Sequence, residues 1–231
     1  MNAIFPGGTS VSALRVYQPC GSPHMHLVCA EGYLVVAGTG AVQTITAAGY
    51  AETPLCPGDA VWFSPGTIHR LVNGDGQLRL TVVMQNDGLP EAGDAVLTFP
   101  PEHLADRVSY DAATSLLDKV SGQPAEARAR ARRDLATAGF TRLRDAVRDG
   151  DPQPLHEFHA AAARLVADRL DGWRERWLAT AFEAARRTGD QIDALRGGDH
   201  SHLRSAQVRR LPAPEQTALG MCGHLHRYQL R

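Results

Sequence analysis

The stretch Gly21-Ser22-Pro23-His24-Met25-His26-Leu27-Val28-Cys29-Ala30-Glu31 contains two histidines separated by one residue and a glutamate shortly after them. Residues i and i+2 of a β-strand point to the same face of a sheet, so His24 and His26 can reach one point. Glu31 follows five positions after His26, and this odd offset requires a bulge or a turn to bring its carboxylate to the same side. The stretch predicts two imidazoles and a carboxylate gathered on one side of a sheet.

A second stretch, Pro57-Gly58-Asp59-Ala60-Val61-Trp62-Phe63-Ser64-Pro65-Gly66-Thr67-Ile68-His69, adds a third imidazole. The tight turn at Pro65-Gly66 leads into a strand, so His69 is held on rigid backbone just after the bend. Three imidazoles and one carboxylate suit Fe(II), Mn(II), Ni(II), Zn(II) or Co(II), and six-coordination would leave two positions open. We predict one divalent metal ion bound by His24, His26, Glu31 and His69.

The sequence before residue 100 has the pattern of short strands. Runs rich in Val, Ile, Thr and aromatic residues alternate with Gly- and Pro-containing breakers. The predicted strands are 11–18, 33–37, 41–46, 60–63, 68–72 and 78–85. Many short strands without a helical pattern between them predict an antiparallel sandwich or barrel, which we assign to residues 1–99.

From about residue 100 the period becomes helical, and we expect a helical extension over 100–215. Apolar residues three and four apart between 155 and 195 predict one long amphipathic helix, or two helices broken near Gly172 or Gly189. A shorter apolar stripe at 124–148 and the prolines that follow it predict an antiparallel helical hairpin.

The last segment, 216–231, alternates in polarity and could return to the barrel as a strand. His224 and His226 would then share one face, either as part of a second metal site or of the pocket rim, or as the polar face of an edge strand in water, which we favour. His156 and His159 could share a metal on helical spacing, but they lack the H-E-x-x-H pattern. A hydrogen-bonded packing role for His159 is the better interpretation.

The two metal-binding stretches resemble the two motifs of the cupin superfamily. The first motif reads HxH, three or four residues, E, six residues, G, and its matching residues are His24, His26, Glu31 and Gly38. The second reads G, five residues, PxG, two residues, H, three residues, N, and its matching residues are Gly58, Gly66, His69 and Asn73. Gln18 replaces the usual glycine before the first histidine, and the motif proline is shifted to Pro65. The resemblance covers roughly residues 10–86 and implies a six- or eight-stranded jelly-roll barrel with the metal inside.

Cupins with this ligand set include dioxygenases, isomerases and decarboxylases, so the resemblance implies a metal-dependent enzyme of small-molecule metabolism. We favour a mononuclear non-haem iron dioxygenase whose substrate chelates Fe(II); Zn, Mn, Ni and Co are alternatives. A Lewis-acid isomerase or lyase, in which the metal polarises a carbonyl, is a second hypothesis. A non-catalytic metabolite-binding or sensing module is a third. No residue outside the ligand set is identifiable as a general acid or base.

Composition narrows the partners and the compartment. The chain has 24 Lys and Arg against 25 Asp and Glu, a balance that gives no electrostatic footprint for nucleic acid or anionic membrane. Its apolar runs are too short to span a membrane, and the start of the sequence has no basic signal-peptide region. Four scattered cysteines predict reduced thiols and a cytoplasmic protein. Trp173 and Trp177, one helical turn apart, would suit a homodimer interface, which we expect, and would equally suit the helices' own core.

Overall fold

The computed structural model describes residues 5–117 and 123–228 of the chain. The strands in this part are β1 (Ser10–Val16), β2 (His24–His26), β3 (Glu31–Ala37), β4 (Gly40–Thr46), β5 (Gly49–Leu55), β6 (Ala60–Phe63), β7 (Ile68–Asn73), β8 (Arg79–Met84), β9 (Ala95–Leu97), β10 (Ala218–Leu219) and β11 (Gly223–Arg227). The α-helices are α1 (Arg107–Thr114), α2 (Ala125–Arg148), α3 (Gln153–Val166), α4 (Leu170–Trp177) and α5 (Glu183–Arg196).

Two antiparallel sheets of jelly-roll type face each other and enclose the core. One sheet has the strand order β10-β11-β1-β8-β3-β6, and the other has the order β5-β4-β7-β2-β9. Side chains alternate along the strands, so that Tyr33 and Val35 of β3 are buried while Leu34 and Val36 between them are exposed. The predicted fold class, a jelly-roll barrel followed by helices, is confirmed.

Strand β5 was not predicted from sequence because it carries the marks of an edge strand. It pairs only with β4 among the described residues, most of it is exposed, and it contains Pro54. Proline lacks the N–H group that an inner strand needs, so it is tolerated at a sheet edge and lowers the strand signal in the sequence.

The C-terminal segment enters the first sheet as β11, between β10 and β1, with Leu225 opposite Leu14. A Cβ at Gly223 would lie 2.0 Å from the Arg15 carbonyl oxygen, so this close pairing requires glycine. The expectation of an edge strand is therefore wrong, and His224 and His226 are partly buried. The His224 ring packs edge-on against Tyr17, with ring centres 5.2 Å apart.

Helix α2 packs directly on the barrel. The Thr98 hydroxyl, at the end of β9, donates a 2.8 Å hydrogen bond to the Ala136 carbonyl of the helix. Phe140, one turn further along α2, is fully buried, and the Arg70 guanidinium of β7 lies 4.7 Å above its ring centre. The barrel and the helical extension therefore share one continuous core.

The helical stripe is interrupted, but not at the glycines. A 3₁₀ turn at Ala167–Arg169 separates α3 from α4, and a π-helical turn at Leu178–Phe182 separates α4 from α5. Gly172 and Gly189 themselves lie inside helices, so the break predicted near Gly172 falls at the preceding turn and not at the glycine. The first interruption includes Arg169, which contacts the barrel. Its position therefore follows tertiary packing rather than glycine content. None of the helices within 5–117 and 123–228 has the length and apolar character needed to cross a membrane.

Candidate metal centre

Three strands deliver the four predicted ligand residues to one point inside the barrel. His24 and His26 lie on β2, His69 lies directly opposite His24 on β7, and Glu31 begins β3. Residues 27–30 form the turn that the odd offset of Glu31 required. One potential ligand atom from each side chain lies within 4.8 Å of the others, and all four residues are buried. This group could hold a metal ion.

The imidazoles are oriented by hydrogen bonds at their Nδ1 atoms. The partner oxygens are the Ser22 carbonyl for His24 (2.9 Å), the Thr67 carbonyl for His69 (3.2 Å) and Asp94 Oδ2 for His26 (2.9 Å). Because a carbonyl or a carboxylate oxygen accepts here, each Nδ1–H donates. The Nε2 lone pairs are then directed at the centre of the group, which is the arrangement of metal-binding histidines.

Two buried atoms at the centre lack hydrogen bonds within the described residues. Glu31 Oε2 lies 3.0 Å from His69 Nε2 and 3.5 Å from His26 Nε2, yet Glu31 Oε2 and His69 Nε2 have no hydrogen bond of good geometry. An unsatisfied buried charge is costly. A divalent cation between these nitrogen and oxygen donors would satisfy both atoms, so the residues present fit a metal ion.

The protonation of the four groups is set by burial and by their mutual contacts. Burial, followed by the neighbouring His69 and His26, holds the pKa of His24 well below its ordinary value. Burial alone would raise the pKa of Glu31, but His69 and His26 together hold it well below that of a free carboxyl group. Burial likewise lowers the pKa of His26, but its hydrogen bond to Asp94 and its contact with the Glu31 carboxylate outweigh this and raise it to about 9. A metal ion held through His26 Nε2 would have to displace a proton from that ring.

A cavity of about 770 Å³ reaches the centre from outside the barrel. Its floor includes His24, His26 and Glu31. Its apolar walls come from the barrel and from the returning C-terminal segment, and they include Leu14, Val82, Met84, Met221 and Leu225. Charged residues complete the lining and include Asp87, Glu91, Arg176 and Arg227. The volume is in the range of small-molecule sites.

Tyr33 lies two residues after Glu31 on the inner face of β3. Its ring is 1% exposed and packs edge-on against Phe63 at 5.4 Å and His69 at 6.4 Å. Burial, and then the charge of Glu31, raises the pKa of Tyr33 well above its ordinary value. Its hydroxyl is a neutral group without a hydrogen bond of good geometry in the described part of the chain.

Sequence reasoning missed Asp94, and it placed the C-terminal segment at the pocket only as an alternative that it did not favour. Neither belongs to a local motif, and the only advance signal was the alternation of polarity after residue 216. Leu225 and Arg227 line the cavity, so His224 and His226 point to the other face of β11. His156 is exposed, and His159 is half-buried against Phe158. The packing role of His159 agrees with this position, although its Nε2 has no hydrogen-bond partner among the described residues.

The fold is a double-sheet jelly roll, and three histidines and a glutamate are buried within it. These two features place the protein in the class of β-barrel proteins with a candidate mononuclear metal centre. The family model described as the cupin domain matches residues 13–84, and this barrel is a cupin. The match includes all four ligand residues and ends before Asp94 and the helices.

Solved structures resemble only the barrel portion of the chain. The first is a double-stranded β-helix protein of Klebsiella pneumoniae: identity is 19%, coverage 33% of this chain and 64% of that chain, and TM-score 0.28. The second is KdgF from Halomonas: identity is 22%, coverage 38% and 77%, and TM-score 0.29. The third is the DMSP lyase DddQ from Ruegeria pomeroyi: identity is 24%, coverage 40% and 43%, and TM-score 0.32. The match spans less than two thirds of the Klebsiella chain, and likenesses this low carry no inference about activity. No curated protein matches the chain.

Proposed function

We propose that this protein is a metal-dependent enzyme of small-molecule metabolism, in which His24, His26, Glu31 and His69 bind one divalent ion. The observation that carries the proposal is the cavity, whose floor includes three of these four side chains. A small molecule in the cavity would reach the coordination positions that the four ligands leave open. A buried site without such a route would have favoured a purely structural metal.

The more specific proposal is a mononuclear non-haem iron dioxygenase, and hence an oxidoreductase, with Fe(II) as the native ion. When bound, the ion would supply a binding platform for substrate and dioxygen, since imidazole and carboxylate ligands suit Fe(II) and two positions stay open. The chain supplies three imidazole Nε2 atoms, an ionised Glu31, and apolar walls such as Val82 and Leu225 that exclude water from the apolar part of a substrate.

The remaining parts of the proposal concern organisation. We assign metal binding to residues 1–99, structural support of the barrel to the helical extension 100–215, and completion of the barrel to 216–231. Residues 1–4, 118–122 and 229–231 lie outside the described part. A cytoplasmic homodimer remains our expectation. Exposed apolar side chains on the last helices, among them Leu178 and Phe182, support a second copy as partner. Sedimentation of the purified protein tests the dimer.

Metal analysis of protein purified without added metal tests the function. We expect about one equivalent of iron in the wild type and its loss in Glu31→Gln, which keeps the shape of the side chain, and in His69→Ala. The matched control is His156→Ala, an exposed histidine outside the cavity, which should retain the metal. Circular dichroism establishes that each variant is folded.

The identity of the metal separates the hypotheses. Iron supports the dioxygenase. Zinc or manganese overturns the dioxygenase in favour of a Lewis-acid isomerase or lyase, whose activity would not require oxygen. An empty wild-type site that takes up neither iron, zinc nor manganese overturns the proposed enzyme and leaves the metabolite-sensing module.

A further inference from the structure

One loop of the barrel connects the candidate metal centre to the helical extension. The loop Pro90–Asp94 precedes β9, and Asp94 at its end is completely buried. Asp94 Oδ2 accepts the 2.9 Å hydrogen bond from His26 Nδ1. The other oxygen, Oδ1, accepts hydrogen bonds from the backbone N–H groups of Leu27 (3.1 Å) and Val28 (2.8 Å). The carboxylate is therefore held at both oxygens and cannot rotate away from His26.

Two helical side chains hold the other side of the same loop. Trp173 Nε1 of α4 donates a 3.1 Å hydrogen bond to the Ala92 carbonyl, and Arg169 Nη1 donates a 3.3 Å hydrogen bond to the Gly93 carbonyl. Gly93 has φ +90°, and a Cβ there would lie 1.7 Å from Arg169 Nη1. The Arg169 side chain thus occupies the space that any other residue at position 93 would fill. The contact lies where the helical stripe is interrupted, immediately before α4.

We propose that Asp94 positions His26 for metal binding, and that Arg169 and Trp173 of the helical extension set the position of Asp94. The inference rests on the proposed metal centre and assigns a role to the helices, which the cupin match does not reach. A carboxylate that accepts from a ligating histidine fixes the ring and its tautomer and makes the metal-facing nitrogen more basic. The helical extension then tunes the affinity of a metal that it does not touch.

The substitution Asp94→Asn tests the positioning role by replacing the acceptor that faces His26 Nδ1 with a hydrogen-bond donor. The Leu27 and Val28 N–H groups need an acceptor, so the side-chain oxygen of Asn stays with them and its NH₂ group faces His26 Nδ1. Two donors cannot share that contact. The substitution therefore favours the tautomer of His26 that carries its proton on Nε2. A protonated Nε2 has no lone pair available for a metal. Loss of such a partner weakens metal binding by about 10- to 100-fold.

The substitution Trp173→Phe tests the helical arm. It removes the indole N–H and keeps most of the ring, so the Ala92 carbonyl loses its donor while the packing is retained. We expect metal affinity to fall by up to about five-fold, the worth of one neutral hydrogen bond. The matched control is Trp177→Phe, one turn along the same helix, where the ring packs against Phe182 at 5.1 Å instead of the loop. This control should bind metal like the wild type.

The experiment is a titration of metal-free protein with Co(II), in competition with a coloured chelator, on all four proteins at one pH. Weaker binding by Asp94→Asn and Trp173→Phe, with Trp177→Phe unchanged, is the expected result. Nitrogen NMR measures the protonation of His26 Nδ1, which a general loss of stability would not change. This nitrogen should be protonated in the wild type and unprotonated in folded Asp94→Asn.

The outcomes distinguish the two proposals. If the wild type binds no Co(II), the metal centre itself fails and the inference falls with it. If the wild type binds and Asp94→Asn binds equally well, the metal centre stands and the positioning role of Asp94 is overturned. If Trp173→Phe and Trp177→Phe bind alike, the role of the helices is overturned.

Discussion

Replacing Gly139 with alanine tests how closely helix α2 is seated on the barrel. A Cβ at this position would lie 1.9 Å from the Thr98 carbonyl oxygen and 2.8 Å from the Phe99 carbonyl carbon. Both are backbone atoms of the chain that leaves β9, so they cannot rotate away as a flexible side chain would. Either the helix or the strand end must move, and the hydrogen bond from the Thr98 hydroxyl to Ala136 lies in the path of that movement.

Two opposing effects set the size of the change. Alanine is better than glycine inside a helix by about 0.8–1.0 kcal/mol. Overpacking costs about 1–3 kcal/mol, and the displaced hydrogen bond costs about 1 kcal/mol more. We therefore expect the free energy of unfolding of Gly139→Ala to fall by about 2 kcal/mol. In a chain of this length that is a decrease in Tm of about 4–8 °C.

Thermal and urea unfolding followed by circular dichroism measure both quantities. The matched control is Gly172→Ala in α4, where no atom lies within 4 Å of the added Cβ. Helix propensity acts there without overpacking, so the control should gain up to about 1 kcal/mol. A Gly139→Ala variant that melts at or above the wild-type temperature would refute the close seating of α2 on the backbone of Thr98.

Three further predictions concern the metal, one buried tyrosine and the shared core. Adding metal at about 100 times its Kd should stabilise the protein by about 2.7 kcal/mol; a chelator should reverse the shift in Tm, and Glu31→Gln should show no shift. Burial under β9 raises the pKa of Tyr110 to about 12 from 10.0 and outweighs the opposite effect of the hydrogen bond that its hydroxyl accepts from the Leu97 N–H. Because the folded state holds this proton more tightly, the contribution of Tyr110 to the free energy of unfolding is complete below pH 10, and about 2.7 kcal/mol is lost between pH 10 and 12. In urea unfolding, Tyr110→Phe should lack this part of the loss of stability at alkaline pH. Phe140→Ala should cost about 3–5 kcal/mol in the same assay, and a loss below 1 kcal/mol would contradict the burial of that ring.

Local rules were sufficient for six of the strands and failed for others. The six segments, the edge strand β6 among them, were predicted within two residues of their observed bounds, because short apolar runs between turn residues are a local signal. The two edge strands of the second sheet give a weaker signal: β5 is exposed and contains Pro54, and β9 has only three residues. The interruption of the helical stripe at Ala167–Arg169 coincides with a distant contact, that of Arg169 with Gly93, whereas Gly172 and Gly189 are accommodated within helices.

The four residues that meet at the candidate metal centre follow from local features of the chain. Strand periodicity places His24 and His26 on one face, a turn carries the chain to Glu31, and a second turn precedes His69, so short-range backbone geometry is enough to propose the ligand set. The surroundings of these four side chains depend on tertiary packing. Asp94 reaches His26 across 68 positions and Trp173 reaches Ala92 across 81. Contacts between segments so far apart depend on how whole sheets and helices pack, and no periodicity or spacing in either segment encodes its partner.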